Sequence, residues 1–153
     1  PTSKAGAITS STPFGKIEAQ ADPLQLYLTH GATFVASGFS GQPRELAQLI
    51  TRGMNHPGFA MVHVQSPCTT YNDFFTEMKG DPKNGIAPLI QPIPEDHDAS
   101  NIDAAFDLIQ KPGVPIGVIY EDSNVATLDQ KVVDMRSKAR IRDVEALLGD
   151  FEF

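Results

Sequence analysis

A single thiol stands in this sequence. Cys68 follows Ser66-Pro67 and precedes Thr69-Thr70-Tyr71-Asn72, directly after an apolar run. A lone cysteine admits three chemistries, and position and spacing leave all of them open. As a thiolate it could ligate a soft metal or an iron-sulfur cluster, with the other ligands coming from elsewhere. As a nucleophile it would need an activating base, for which His56 and His63 are the nearest candidates. As a small hydrophobe it would be buried, which is where free cysteines usually sit. Thr69, Thr70 and Asn72 could donate hydrogen bonds to cluster sulfurs and tune their potential, or could cap the turn. Arg44 opens an amphipathic helix at the same end of the pattern; it offers a cation to an anionic substrate or a coenzyme phosphate, or is a solvated helix residue. Lys131, Arg136, Lys138, Arg140 and Arg142 interleave with Asp134 and Asp143, the pattern of a solvated helix face rather than a nucleic-acid patch.

These residues need elements to hold them. Pro1 to Ala21, rich in Ser, Thr, Gly and Pro, reads as a connector. Asp22-Pro23 supplies an N-cap and a first-turn proline, and Gly31 a stop, so a short helix is expected over Pro23–His30. Ala32–Ala36 is a short β-branched and aromatic run between Gly31 and Gly38, as in a strand buried on both faces. A helix follows from Pro43, with Leu46, Ala47, Leu49, Ile50 and Met54 at helical spacing. Phe59–Val64 is a second strand after the break at Asn55-His56-Pro57-Gly58. Strand, helix and strand within about 35 residues fit a parallel crossover unit, whose strand ends favour ligand chemistry. Beyond Ser66 the pattern dissolves as far as Ser100, with one helical turn or two over Asn72–Lys79 and Pro82, Pro88, Pro92 and Pro94 further on. An extended excursion over a partner surface is expected there. A helix over Ser100–Gln110, a strand over Val114–Tyr120 and a helix over Leu128–Leu148 close the chain.

The 153 residues carry 12 Lys+Arg against 19 Asp+Glu, a net charge of −7 that argues against a phosphate-tracking, nucleic-acid-binding protein. No run approaches the roughly 20 apolar residues that span a bilayer, and the N-terminus lacks the layout of a signal peptide. A cytoplasmic protein is expected. Gly and Pro together make about one residue in six, which implies many connectors. The first residue is proline rather than methionine, so further sequence is expected upstream. Three or four strands form a thin core for this length, which favours a piece of a larger assembly.

Three ordered blocks carry a resemblance. Gly31-Ala32-Thr33-Phe34-Val35-Ala36-Ser37-Gly38-Phe39-Ser40-Gly41, then Gly58-Phe59-Ala60-Met61-Val62-His63-Val64, then Ser66-Pro67-Cys68-Thr69-Thr70-Tyr71-Asn72 together resemble the C-terminal half of the β subunit of 2-oxoacid:ferredoxin oxidoreductases. The likeness runs from Pro1-Thr2-Ser3 to the end, and Val114-Pro115-Ile116-Gly117-Val118-Ile119-Tyr120 resembles the family's closing strand. The resemblance implies oxidative decarboxylation of a 2-oxoacid to its acyl-CoA, with thiamine diphosphate and Mg²⁺ as cofactors. It also implies a 4Fe-4S cluster that passes electrons to ferredoxin. Cys68 becomes the fourth cluster ligand, and family members often carry a cation near Arg44. 2-Oxoglutarate is favoured over pyruvate as substrate.

The family's Gly-Asp-Gly motif, its following Asn and its other three cysteines are absent from these residues. The chain alone therefore offers no catalytic residue. The fold class expected is α/β, the second half of a thiamine-diphosphate-binding domain, with a mostly parallel sheet flanked by helices. That half occupies residues 1–80; residues 81–153 form a C-terminal extension packing on a partner subunit. The partners implied are the α subunit, the N-terminal half of the β subunit, ferredoxin, coenzyme A and the 2-oxoacid, with no nucleic acid and no membrane. Two alternatives stand beside this reading: a non-catalytic assembly module that kept the sheet, and a fragment of a cluster-free thiamine enzyme.

Overall fold

A computed structural model of the chain describes residues 3–9, 12–139 and 148–149. The first helix, α1 (Pro23–Thr29), starts where Asp22 Oδ1 accepts the N–H groups of Leu24 at 2.9 Å and Gln25 at 3.3 Å. That contact satisfies two donors the helix cannot pair internally. Gly31, at φ +77°, turns the chain into β1 (Phe34–Phe39). α2 (Pro43–Asn55) then returns to β2 (Ala60–Gln65), completing the expected crossover. β1 and β2 pair in parallel, from Phe34↔Ala60 through to Phe39↔Gln65. β1 runs to Phe39 rather than stopping at Ala36, and all six of its residues are buried.

Close approach of α2 to β1 depends on two glycines. A Cβ on Gly38 would lie 2.7 Å from Leu46 Cδ1, and one on Gly53 would lie 3.3 Å from the Phe34 ring. Bare backbone at both positions lets helix and strand pack without a gap. On the other face, Leu24 and Leu28 of α1 meet Val35 of β1, Ile119, and Ala105 and Leu108 of α4 (Ile102–Ile109). α4 is capped by Asn101, whose side chain accepts from Asp103 and Ala104.

Between α3 (Phe75–Lys79) and α4 the chain is less featureless than its prolines imply. A 3₁₀ turn, Pro82–Asn84, and a three-residue strand, β3 (Ile90–Pro92), interrupt the excursion. β3 lies at the sheet edge, where the missing N–H of Pro92 does no harm. Its pairing partner is β4 (Val114–Glu121), a long-range contact that no local period signals. The sheet order is β2-β1-β4-β3. Two of its three pairings are parallel, as expected, while β4 runs antiparallel to β1. That ladder skips one residue between Val35↔Tyr120 and Ala36↔Val118, so that Ile119 bulges into the core. His97 Nε2–H donates to the Ile119 carbonyl at 2.8 Å and ties the loop before α4 to this bulge.

The last helix, α5 (Leu128–Lys138), closes at Ala139, whose ψ of 131° is extended, so the expected helix to Leu148 is interrupted there. Ile141, Val144 and Leu147 lie outside the described residues. Pro1 to Ala21 forms, over its described part, a turn without helix or strand. In it Lys16 Nζ donates to the carbonyls of Ser3, Glu18 and Ala19, each at 3.0 Å.

Phe34→Ala empties a fully buried site under α2 and should destabilise by about 3–5 kcal/mol. Gly58→Ala places a methyl 2.1 Å from Thr33 Oγ1 and 2.7 Å from Val125 Cγ2. It should cost about 1–3 kcal/mol by overpacking. Both appear as lowered midpoints in denaturant unfolding followed by circular dichroism.

Candidate functional site

Cys68 sits just past the carboxyl end of β2. Ser66-Pro67 redirect the chain, and a short loop closes when Cys68 N–H donates to the Asn72 carbonyl at 3.1 Å and Asn72 N–H donates back at 2.9 Å. The loop turns backbone N–H groups of Tyr71, Thr70 and Asn72 toward the thiol, and these hold its pKa below the ordinary cysteine value. Slight desolvation and the charge of Asp73 oppose that shift without reversing it. The side chain is exposed, so the buried-hydrophobe alternative does not hold. Donors aimed at sulfur favour the thiolate, the form that binds metal.

Neither histidine serves as a base for this thiol. His56 lies at the opposite end of the β1–β2 pair, its Nε2 bonded to Thr33 Oγ1 at 2.8 Å and its ring against Phe34. Since Thr33 Oγ1–H donates to the Phe59 carbonyl, His56 donates through Nε2, leaving Nδ1 buried without a partner. His63 projects onto the α1 face, 6.2 Å from the Tyr27 ring centroid. The side chains of Thr69, Thr70 and Asn72 are exposed and make no hydrogen bond with described residues. Backbone bonds, not these side chains, cap the turn.

Two loops share this edge. Ser40 N–H donates to the Gln65 carbonyl at 2.9 Å, fixing the β1–α2 loop against the exit of β2. Phe39 and Phe75 stack at a tilt, with centroids 5.4 Å apart, and a Cβ on Gly41 would fall 2.4 Å from one ring and 2.9 Å from the other. Lys79 Nζ lies 5.9 Å above the Phe75 ring. Arg44 is in the first turn of α2 beside this edge, exposed and without an ion pair among the described residues.

A second polar pair escapes sequence reasoning. Ser37, 0% exposed, has a hydroxyl with no hydrogen-bond partner, and the β1–β2 register sets it beside His63. Burial lowers the His63 pKa, while the Asp22 carboxylate partly opposes the shift. Only the strand register shows which residues share this face. The folded protein binds fewer protons here than the unfolded chain near pH 6.5, so stability falls as pH drops through that value.

Among the described residues no group of three or more His, Cys, Asp or Glu side chains could hold a metal. No described helix is long and apolar enough to cross a membrane. Cys68 is an exposed thiol just past a strand end of an α/β domain. Thiolates are the usual ligands of iron-sulfur iron.

Comparison with known proteins relates the chain to one kind of enzyme subunit. Residues 86–137 match the family model for the C-terminal part of the pyruvate ferredoxin oxidoreductase β subunit. The chain is 33% identical over 141 residues to the 2-oxoacid:ferredoxin oxidoreductase subunit beta of Saccharolobus solfataricus, covering 88% of this chain and 46% of that protein. It is 37% identical over 71 residues to the 2-oxoglutarate synthase subunit KorB of Archaeoglobus fulgidus, covering 46% of this chain and 27% of that protein. The fold matches a solved 2-oxoglutarate:ferredoxin oxidoreductase from Magnetococcus marinus, with 2-oxoglutarate, coenzyme A and succinyl-CoA bound, at a TM-score of 0.79 and 34% identity. That match covers 100% of this chain and 52% of the other. The resemblance to β subunits of 2-oxoacid:ferredoxin oxidoreductases thus extends through sequence and fold alike. The chain spans about half the length of the relatives it matches.

In protein without metal, Cys68 should alkylate with a pH midpoint below that of a cysteine in an unstructured peptide, and denaturant should restore the ordinary value. Asp22→Asn keeps an N-cap but removes the charge. The His63 titration, followed by NMR, should move further down, with α1 little changed.

Proposed function

We propose that this chain is the C-terminal portion of a 2-oxoacid:ferredoxin oxidoreductase β subunit and supplies the fourth ligand, Cys68, to a 4Fe-4S cluster. The observation that carries this is the exposed thiol in a loop of converging N–H groups, on a fold shared with a solved enzyme of that class. The complete enzyme would decarboxylate a 2-oxoacid oxidatively, form its acyl-CoA with thiamine diphosphate and Mg²⁺, and transfer electrons to ferredoxin. 2-Oxoglutarate is the favoured substrate, supported by the KorB relatives and the solved neighbour.

An iron-sulfur cluster supplies one-electron transfer when bound. This chain's contribution is to hold one thiolate beyond the strand end, with N–H groups of Tyr71 and Thr70 directed at sulfur. Such hydrogen bonds draw charge from the sulfur and raise the potential of whatever iron it binds. Arg44 is proposed to attract the anionic substrate or a coenzyme phosphate, because it stands exposed beside the same edge and has no ion pair among the described residues. The thiamine diphosphate and Mg²⁺ sites and the remaining three thiolates belong to sequence outside these residues. Residues 81–153 are read as the extension that meets a partner subunit, and the enzyme as cytoplasmic, where coenzyme A and ferredoxin are found.

In the complete enzyme, Cys68→Ser should lower cluster iron and cut ferredoxin reduction by at least tenfold. Full iron content with undiminished electron transfer in that variant would exclude ligation. Arg44→Gln should raise KM for the 2-oxoacid or for coenzyme A several-fold with kcat nearly unchanged; an unaltered KM for both assigns Arg44 to solvent.

A further inference from the structure

Of the five asparagines in the sequence, Asn84 alone is followed by glycine; Asn55, Asn72, Asn101 and Asn124 precede His, Asp, Ile and Val. Asparagine is thermally labile because its side-chain carbonyl lies within reach of the next residue's peptide nitrogen. A Cβ on that next residue shields the nitrogen, and glycine has none. At Gly85 nothing stands within 4 Å of the place a Cβ would take. Asn84 and Gly85 are both exposed, on the turn between α3 and β3.

The folded turn holds the two reacting groups apart. Asn84 is the last residue of the 3₁₀ turn Pro82–Asn84, and Gly85 follows at φ +70° and ψ +20°, a left-handed stop. Gly85 N–H is directed at the Pro82 carbonyl, 3.4 Å away, so its proton is engaged inside the turn. Asp81 Oδ2 accepts from Asn84 Nδ2–H at 2.6 Å, while Oδ1 accepts from Lys83 N–H at 3.0 Å. Asp81 is itself anchored: its N–H donates to the Ile86 carbonyl at 2.8 Å and its carbonyl accepts Ile86 N–H at 2.9 Å. One carboxylate therefore ties the start of the turn to the amide at its end. A carboxylate only accepts, so it pins that amide without offering a proton to its nitrogen.

We propose that Asn84 is a site of spontaneous deamidation, held in check by the Asp81 carboxylate. When the turn opens, Gly85 nitrogen gives its proton to solvent and bonds to Asn84 Cγ. The Cγ–Nδ2 bond breaks, solvent protonates the leaving nitrogen, and ammonia departs from a succinimide ring. Water then opens the ring at either carbonyl, leaving aspartate or isoaspartate at position 84, with nothing oxidised or reduced. Either product lacks the amide donor, so Asp81 loses that partner and faces a second carboxylate. The inference does not rest on the cluster assignment, and the two fail on different measurements.

The test ages three samples side by side in mildly alkaline buffer: the complete enzyme, the complete enzyme with Asp81→Ser, and a synthetic peptide of residues 79–89. Mass spectrometry follows the amide of Asn84 and of the other four asparagines. Ser at position 81 keeps an oxygen for Lys83 N–H but gives up the second one that holds Asn84. Asn84 should convert ahead of the other asparagines, several-fold more slowly in the enzyme than in the peptide, and several-fold faster in Asp81→Ser than in the unaltered enzyme. Equal rates in the two enzymes, no conversion at Asn84 in either, or earlier conversion of another asparagine overturn the proposal. Conversion in the unaltered enzyme at the peptide's rate overturns it too, and that comparison decides even where Asp81→Ser does not fold.

Discussion

β1 is covered on both faces along its whole length, and the rest of the domain depends on that double burial. Phe34 and the bare edge of Gly38 receive α2, while Val35 faces α1 and α4. Each face needs its own helix layer, and each layer must follow the pleat of the same six residues. A slip of one residue would exchange the two faces and set Phe34 against α1. The six-residue parallel register with β2 fixes that choice. It also places the exits of both strands side by side, where Ser40 and Gln65 bond and the Cys68 loop begins.

The site is a consequence of backbone geometry more than of side-chain chemistry. Among the described residues no titrating neighbour activates Cys68. The N–H groups of a tight loop shift its ionisation, and the carboxylate of Asp73 acts in the opposite sense. A loop closed by two main-chain hydrogen bonds keeps those donors aimed even with the thiol open to solvent. The side chains of Thr69, Thr70 and Asn72 make no hydrogen bond with the described residues.

The sheet's asymmetry has a similar logic. α1 and α4 complete one layer, whereas α2 alone leaves half of the opposite face without a helix. A sheet of this kind is normally covered on both sides. Among the described residues, the bare half of the sheet and α5 are left without a covering layer.

Much was legible in the residues themselves. Asp22-Pro23, Pro43 and Gly31 set helix ends because capping and proline geometry are local, and the β-branched run at Thr33–Val35 marked the buried strand. The Ser-Pro-Cys block pointed to the thiol, and the ordered blocks pointed to the kind of subunit that the chain resembles. Local signals could not reveal that β4 runs antiparallel beside β1, because strand order depends on contacts some eighty residues apart. β3 was hidden among prolines for the same reason. Which face a strand residue occupies is likewise a matter of register, so His63 separates from Cys68 and joins Ser37 only in three dimensions. The sequence determined that one cysteine stands beyond a strand end; the tertiary structure decided that it is exposed, cradled by N–H groups and apart from His56 and His63. Ionisation and access depend on the surrounding atoms, and only the folded chain puts those atoms in place.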